Sequence, residues 1–184
     1  MDRKAGIFLA DGFEEIEGLT VVDILRRAQI SISMISINGK KSVEGAHGIV
    51  VAADQDIAEC ELDELDMLVL PGGMPGTLNL AGCRKLTEAL QKADQEKKGI
   101  AAICAAPSIL GELGLLKGRK AVCYPGFEKK LEGAEVLEEP VVTDGHITTS
   151  RGMGTAIAFA LELTKRMKGA GDAEQIGASI IWKA

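Results

Sequence analysis

The sequence predicts an α/β fold in which helices cover both faces of a mostly parallel sheet. Uncharged apolar segments such as Met67–Leu70 and Gly99–Ile103 have the length and composition of buried strands. Segments with apolar residues at helical spacing follow them, and this alternation is typical of parallel sheets. With 184 residues, of which 46% are hydrophobic, the chain is long enough for a sizeable core. We therefore predict a single domain over residues 1–184.

Charge and composition indicate which partners, cofactors and cellular compartment to expect. The net charge is −6, and the sequence has no run of basic residues, so nucleic acid and membrane surfaces are not expected partners. The first apolar run, Ala5–Ala10, is too short for a signal peptide or a membrane span, which predicts a cytoplasmic protein. The four cysteines form no C-x-x-C pair, and the two histidines, His47 and His146, are isolated in sequence. No metal or other cofactor is expected.

The first half of the chain begins with a strand and a helix. The helix has acidic residues in its first turn and Arg26 and Arg27 in its last, which suits the helix dipole. We expect Asp54–Glu64 to be an acidic, loop-like surface segment that can include a helical turn, and we expect His47 to be a solvated loop residue. The predicted elements are a strand at Gly6–Ala10, a helix at Glu14–Ala28, a strand at Ile30–Ile37 and a hairpin of Val43–Glu44 with Ile49–Ala52.

The second half continues the alternation after the strand at Met67–Leu70. Asp144-Gly145 is typical of a hairpin turn. The predicted elements are a helix at Cys83–Lys97, a strand at Gly99–Ile103, a helix from Pro107, a strand at Lys120–Cys123, short strands at Val136–Leu137, Val141–Thr143 and His146–Thr149, and helices at Thr155–Met167 and Asp172–Ile181.

Cys104 stands at the turn between a predicted strand and a predicted helix. Pro107 is tolerated only in the first helical turn, so the helix begins within a few residues of this thiol. Free N–H groups and the helix dipole at such a place favour a thiolate and predict a lowered pKa. A passive buried core cysteine is the commoner alternative. The position at the end of the strand favours a functional role.

Ligands of parallel sheets bind outside the carboxyl ends of the strands. Cys104 is the one cysteine at a strand-to-helix turn among the loops that this rule selects. We therefore expect five loops to meet at one edge of the sheet: Asp11–Glu17, Pro71–Gly76, Cys104–Ala106, Tyr124–Gly126 and Ser150–Gly154.

Four segments in this order resemble the ThiJ/PfpI superfamily, and within it the branch of the parkinsonism-associated deglycase. They are Asp11–Glu17 (DGFEEIE), Val69–Gly73 (VLPGG), Ala101–Pro107 (AAICAAP) and Thr149–Thr155 (TSRGMGT). The resemblance covers nearly the whole chain. It implies a flavodoxin-like fold, related to class I glutamine amidotransferases, and a homodimer.

The resemblance also implies roles for individual residues. Cys104 matches the nucleophile and oxidation-sensitive thiol, and Glu17 matches its partner carboxyl. A carboxylate beside a thiolate is repelled, so we expect one of the two to keep a proton. The backbone N–H groups of Gly72, Gly73 and Ala105 are candidates for an oxyanion hole. An alternative for Glu17 is an ordinary first-turn glutamate, and for the two glycines a tight turn.

Departures from the family pattern limit the activities that can be expected. Tyr124 occupies the place where many members have a histidine, so a cysteine–histidine dyad is doubtful and Tyr124 is only a possible pocket residue. Ala105 follows the cysteine where protease-like members have histidine, which argues against a peptidase. His146-Ile147-Thr148 does not match the His-x-Glu of the amidotransferases. Arg151 is either a second pocket residue or a structural hydrogen-bond donor.

Two functions fit these residues. The first is a glyoxalase-type or deglycase-type enzyme acting on methylglyoxal-like reactive carbonyls or their glycated adducts. The second is a redox-sensing stress protein or chaperone in which Cys104 is oxidised to a sulfinate without turnover.

Overall fold

The computed structural model describes residues 3–183 and is built around a seven-stranded sheet. The strands in chain order are β1 (Lys4–Leu9), β2 (Ser31–Ser36), β3 (Ser42–Glu44), β4 (Val50–Ala52), β5 (Gln55–Asp56), β6 (Met67–Leu70), β7 (Gly99–Ile103), β8 (Lys120–Ala121), β9 (Glu135–Val136), β10 (Val141–Asp144) and β11 (Ile147–Ser150). The main sheet has the order β10-β11-β7-β6-β1-β2-β5, and only β10 runs antiparallel to its neighbour. Two small sheets pair β3 with β4 and β8 with β9.

Helices cover both faces of the main sheet. They are α1 (Glu15–Arg27), α2 (Gly76–Gly82), α3 (Arg84–Gln95), α4 (Pro107–Glu112), α5 (Ala156–Lys168) and α6 (Ala170–Ser179). Successive side chains of a strand point to opposite faces, and β1 shows this directly. Ile7 and Leu9 belong to one core with Phe159 of α5, whereas Phe8 belongs to the other core with Leu86 of α3. The predicted mostly parallel sheet with helices on both faces is confirmed.

Most predicted elements are present, with bounds that differ by a few residues. One predicted strand is shorter than expected, and the structure adds a strand and a helix that were not predicted. The strand predicted at Lys120–Cys123 is only Lys120–Ala121 and lies outside the main sheet. The acidic segment contains β5, which extends the sheet beside β2, and two 3-10 turns at Ile57–Glu59 and Leu62–Glu64. The helix α2 was not predicted, because its first residue, Gly76, belongs to a Gly- and Pro-rich segment that is typical of a loop.

Among residues 3–183, none of the helices combines the length and the apolar character needed to cross a membrane.

Candidate active site

The loops predicted to meet at the carboxyl edge of the sheet do meet there. The N–H of Cys104 donates to the carbonyl of Ser150 (3.0 Å), and the N–H of Tyr124 donates to the carbonyl of Cys104 (2.8 Å). On the other side, the N–H of Gly76 donates to the carbonyl of Gly12 (3.1 Å). Main-chain hydrogen bonds therefore hold these loops together around Cys104.

Cys104 lies at the turn between β7 and α4 in a left-handed backbone conformation, with φ of 65°. A residue other than glycine adopts this conformation rarely and at an energetic cost, and such residues cluster at functional sites. The half-buried side chain projects from the end of the strand. Pro107 is the first residue of α4, as predicted from its missing N–H.

Glu17 lies in the first turn of α1, and only 1% of the residue is exposed. Its Oε2 accepts a hydrogen bond of 2.9 Å from the N–H of Gly72, and its carboxyl is hydrogen-bonded to the thiol of Cys104. A side chain needed only to complement the helix dipole would be expected to face solvent. The structure therefore brings the predicted pair, Cys104 and Glu17, into direct contact.

Burial and mutual repulsion keep a proton on this pair. Burial raises the pKa of Glu17 to about 7, although hydrogen bonds from Cys104 and Gly72 oppose the shift. Burial, followed by the charge of Glu17, raises the pKa of Cys104 to about 12. The expectation that one of the two keeps a proton at neutral pH is confirmed. The predicted lowering of the Cys104 pKa is wrong while Glu17 carries its charge, because the nearby N–H groups do not outweigh burial and repulsion.

Of the three predicted N–H donors, two point to the thiol of Cys104 and one binds the carboxyl of Glu17. The N–H groups of Ala105 and Gly73 point to the sulfur of Cys104 and oppose the rise of its pKa. The N–H of Gly72 is instead occupied by Glu17, so the expectation that it contributes to an oxyanion hole is corrected. A Cβ at Gly72 would lie 2.5 Å from Cβ of Cys104 and 2.7 Å from Oε2 of Glu17. Glycine is required here because thiol and carboxyl both pack against its backbone.

Tyr124 and Arg151 lie at the rim rather than in contact with the thiol. Tyr124 is 51% exposed, and a Cβ at Gly152 would lie 3.3 Å from its ring. Arg151 donates a hydrogen bond to the carbonyl of Glu138 (3.3 Å), which agrees with the alternative that it is a structural hydrogen-bond donor. Cys123 is buried, with 3% exposed, so of the neighbours Cys123 and Tyr124 only the tyrosine faces the site.

His47 is not simply a solvated loop residue. Its side chain is 69% exposed, but Nδ1 lies 2.8 Å from Oε2 of the buried Glu15, and the hydrogen bond to Glu15, followed by the charge of Glu15, raises the pKa of the imidazole. Within residues 3–183, the one group with ligand atoms close enough for a metal is Glu14, Glu15 and His47. Both carboxylates already accept backbone hydrogen bonds, from Glu17 and His47 respectively, which accounts for their approach. We assign no metal to this cluster.

Glu14 is the site residue that the sequence did not reveal. It is the N-cap of α1, and its Oε2 accepts a hydrogen bond of 2.7 Å from the N–H of Glu17. The available signal was its spacing, since a capping side chain commonly binds the N–H three residues later. The signal was weak because glutamate is not among the preferred N-cap residues.

Comparisons with known proteins agree with this geometry. The sequence model described as the DJ-1/PfpI family matches residues 3–166. The chain is 35% identical to Protein DJ-1 homolog B of Arabidopsis thaliana, covering 98% of this chain and 42% of that protein, so it spans less than half of this relative. It is 33% identical to Deglycase PYRAB04690 of Pyrococcus abyssi, covering 88% of this chain and 98% of that protein.

Solved structures of DJ-1 proteins superimpose on nearly the whole of this chain. The crystal structure of Drosophila melanogaster DJ-1beta superimposes with a TM-score of 0.96 at 31% identity, covering all of both chains. The structure of oxidized Toxoplasma gondii DJ-1 superimposes with a TM-score of 0.95 at 34% identity, covering 99% of this chain and 100% of that chain. With its flavodoxin-like fold and with Cys104 against Glu17, this chain belongs to the DJ-1/PfpI family.

Proposed function

We propose that the protein is a cysteine-dependent, cofactor-free enzyme of the glyoxalase or deglycase type. Its substrates are methylglyoxal-like α-oxoaldehydes or the adducts that they form. The observation that carries this proposal is the contact between the thiol of Cys104 and the buried carboxyl of Glu17. A nucleophile and a proton carrier in contact, with the pKa of the carrier near 7, are the minimum needed for this chemistry.

The first step joins Cys104 to the substrate. The sulfur attacks the aldehyde carbon, a C–S bond forms, and the thiol proton passes through Glu17 to the carbonyl oxygen, giving a hemithioacetal. The N–H groups of Ala105 and Gly73 point to the sulfur and stabilise negative charge on it during the approach. The pair that holds one proton before attack can thus deliver it during attack.

The second step is redox-neutral and needs no cofactor. Glu17 removes the proton from the former aldehyde carbon and returns a proton to the neighbouring carbon, while the hydroxyl proton on the first carbon moves to the oxygen of the second. The first carbon is thereby oxidised and the second is reduced. The product is a thioester of a 2-hydroxy acid. Water attacks this thioester, the C–S bond breaks, and Cys104 regains its proton as the hydroxy acid leaves.

The name of one similar protein supports the proposed activity, and exposed apolar residues support a homodimer. A relative from Pyrococcus abyssi is named a deglycase, and it matches 88% of this chain. We also propose that the protein is a cytoplasmic homodimer, contacting neither nucleic acid nor membranes. Ile16, Ile49 and Val50 are 49%, 51% and 60% exposed, and they offer apolar surface on α1 and the adjoining hairpin for a second copy.

The test is consumption of methylglyoxal without glutathione by the wild-type protein, C104A and E17Q. We expect C104A to be inactive and E17Q to lose about 10²- to 10⁴-fold in kcat, since general acid–base catalysis contributes an effect of this size. C123A is the matched control, because Cys123 is a buried thiol whose charged neighbours are Glu128 and Arg151, and its kcat should remain within about twofold of wild type. Equal rates in wild type and C104A would refute the proposal.

A redox-sensing role is the second candidate. It is favoured by the similarity to a structure of an oxidized DJ-1 from Toxoplasma gondii. A Cys104 sulfinate would accept hydrogen bonds from protonated Glu17 and from the N–H groups of Ala105 and Gly73. E17Q separates the two functions, because an amide can still donate a hydrogen bond but cannot carry a proton between carbons. Loss of turnover with retention of sulfinate formation in E17Q would favour catalysis as the role of the pair.

A further inference from the structure

Glu14 contacts the active pair through both its main chain and its side chain. Its Oε2 accepts the N–H of Glu17 (2.7 Å), and its own N–H donates to the carbonyl of Gly72 (2.9 Å). Gly72 in turn donates its N–H to Oε2 of Glu17 (2.9 Å). The three residues therefore form a closed ring of hydrogen bonds. The orientation of the Glu17 carboxyl and the position of the glycine turn are fixed together.

The packing around this ring leaves little room for adjustment. A Cβ at Gly73 would clash with the backbone nitrogen of Glu14, so the glycine turn and the start of α1 are in close contact. The Glu14 side chain is 12% exposed and cannot move freely into solvent. A displacement of Glu14 would therefore be transmitted to Gly72 and from there to the Glu17 carboxyl.

We propose that Glu14 is a positioning residue, which holds the Glu17 carboxyl against Cys104 and keeps a negative charge behind it. This inference deepens the proposed function and rests on the pairing of Cys104 with Glu17. Glu14 acts through Glu17 and need not touch substrate.

The charge of Glu14 gives it a role beyond helix capping. Asparagine, aspartate and serine are better N-caps, so capping alone does not call for glutamate at this position. The carboxylate of Glu14 is among the causes that raise the pKa of Glu17. The other charged or titratable groups around Glu14 are Glu15 on α1 and His47, whose Nδ1 lies 4.0 Å from Oε1 of Glu14. A negative charge behind Glu17 makes its carboxyl a stronger base, and in the first catalytic step this carboxyl takes up the thiol proton.

The experiment follows the carboxyl of Glu17 by ¹³C NMR as a function of pH in wild type, E14Q and D23N. E14Q removes the charge but keeps an oxygen that can cap the helix. We expect its Glu17 midpoint to fall by about 0.5 to 1 unit, because a nearby negative charge has been removed. Asp23 is the matched control, since it lies on the same helix and pairs with Arg27 at the surface (2.7 Å). D23N should leave the midpoint unchanged. An E14Q midpoint equal to that of D23N would overturn the electrostatic role.

The positioning role is tested separately with E14A, which removes the cap as well as the charge. We expect the amide proton of Gly72 to shift upfield as its hydrogen bond to Glu17 weakens, while in D23N it stays in place. An unchanged Gly72 amide in folded E14A would overturn this role. Should E14A fail to fold, the same amide in E14M, whose side chain fills the space but cannot accept the N–H of Glu17, decides by the same criterion. None of these measurements uses turnover, so they can fail while the proposed function stands.

Discussion

The thiols of Cys104 and Cys123 are both shielded from solvent, but their surroundings differ. Burial is the largest cause that raises the pKa of each, to about 12 for Cys104 and to about 11 for Cys123. Cys123 is 3% exposed and packs in a core cluster, whereas Cys104 is half-buried in a left-handed turn. Beyond burial, Cys104 has a hydrogen-bonding carboxyl and two N–H groups directed at its sulfur.

The pKa of the thiol alone therefore does not identify the functional cysteine. Burial raises the pKa of both thiols to a similar extent, so by that measure neither would be singled out. The difference lies in access and in neighbours, because only Cys104 can exchange a proton with a carboxyl while its sulfur faces two donors. The reactive site thus depends on two features: the turn between β7 and α4, which exposes the thiol, and the glycine turn, which leaves room for Glu17 beside it.

The largest effect expected from this comparison is in alkylation. We expect iodoacetamide to modify Cys104 at least about 100-fold faster than Cys123 in the native protein, since thiol reactivity requires access as well as ionisation. Mass spectrometry of digests taken over time measures both rates in one sample. A C104S variant checks that modification of Cys123 is not blocked by prior reaction at Cys104. Faster modification of Cys123 would mean that ionisation, rather than access, governs reactivity here.

A smaller effect is expected in the pH dependence of stability. Because burial raises the pKa of Glu17 from 4.5 to about 7, the folded state binds a proton between these values that the unfolded state has lost. Stability contributed by this group therefore falls as pH rises through that window, by on the order of 3 kcal/mol in total. E17Q lacks this titration, so its free energy of unfolding relative to wild type should increase between pH 4.5 and pH 8.

Urea unfolding at several pH values measures this difference, and other titrating groups cancel between the two proteins. C123A is the control that ties the result to the comparison of the two thiols. Burial raises the pKa of the Cys123 thiol to about 11, outside this pH window. The slope of unfolding free energy against pH should therefore be the same in C123A and wild type. A parallel slope for E17Q and wild type would show that Glu17 ionises in the folded protein as it does in solvent.

The sequence predicted the parts of this molecule that local pattern determines. Buried strands such as Met67–Leu70 and Gly99–Ile103 are found at the predicted positions, because an uncharged apolar run has few alternatives to the centre of a sheet. Pro107 located the start of α4 for a similarly local reason. The edge strand β5 was missed, since a short polar pair such as Gln55–Asp56 has no apolar pattern and joins the sheet through its backbone.

The site was predictable in its members but not in its electrostatics. Cys104 and Glu17 were selected by position and by resemblance, and they are in contact. The direction of the Cys104 pKa was wrong because a sequence shows the helix N-terminus but not the depth of burial or the distance to a carboxyl. Gly72 was assigned to the substrate for the same reason, since its partner depends on which way one peptide faces. The role of Glu14 required the three-dimensional ring through Gly72.

The measurement that tests the central claim most directly is the total charge of the Cys104–Glu17 pair. The charge of Glu17 is followed by ¹³C NMR, and that of Cys104 by thiolate absorbance with C104A as the blank. With pKa values raised to about 7 for Glu17 and about 12 for Cys104, the fractional charges should add up to about one between pH 8 and pH 10. This sum holds whichever atom carries the remaining proton. A sum approaching two by pH 10 would contradict the account, because the two groups would then ionise independently.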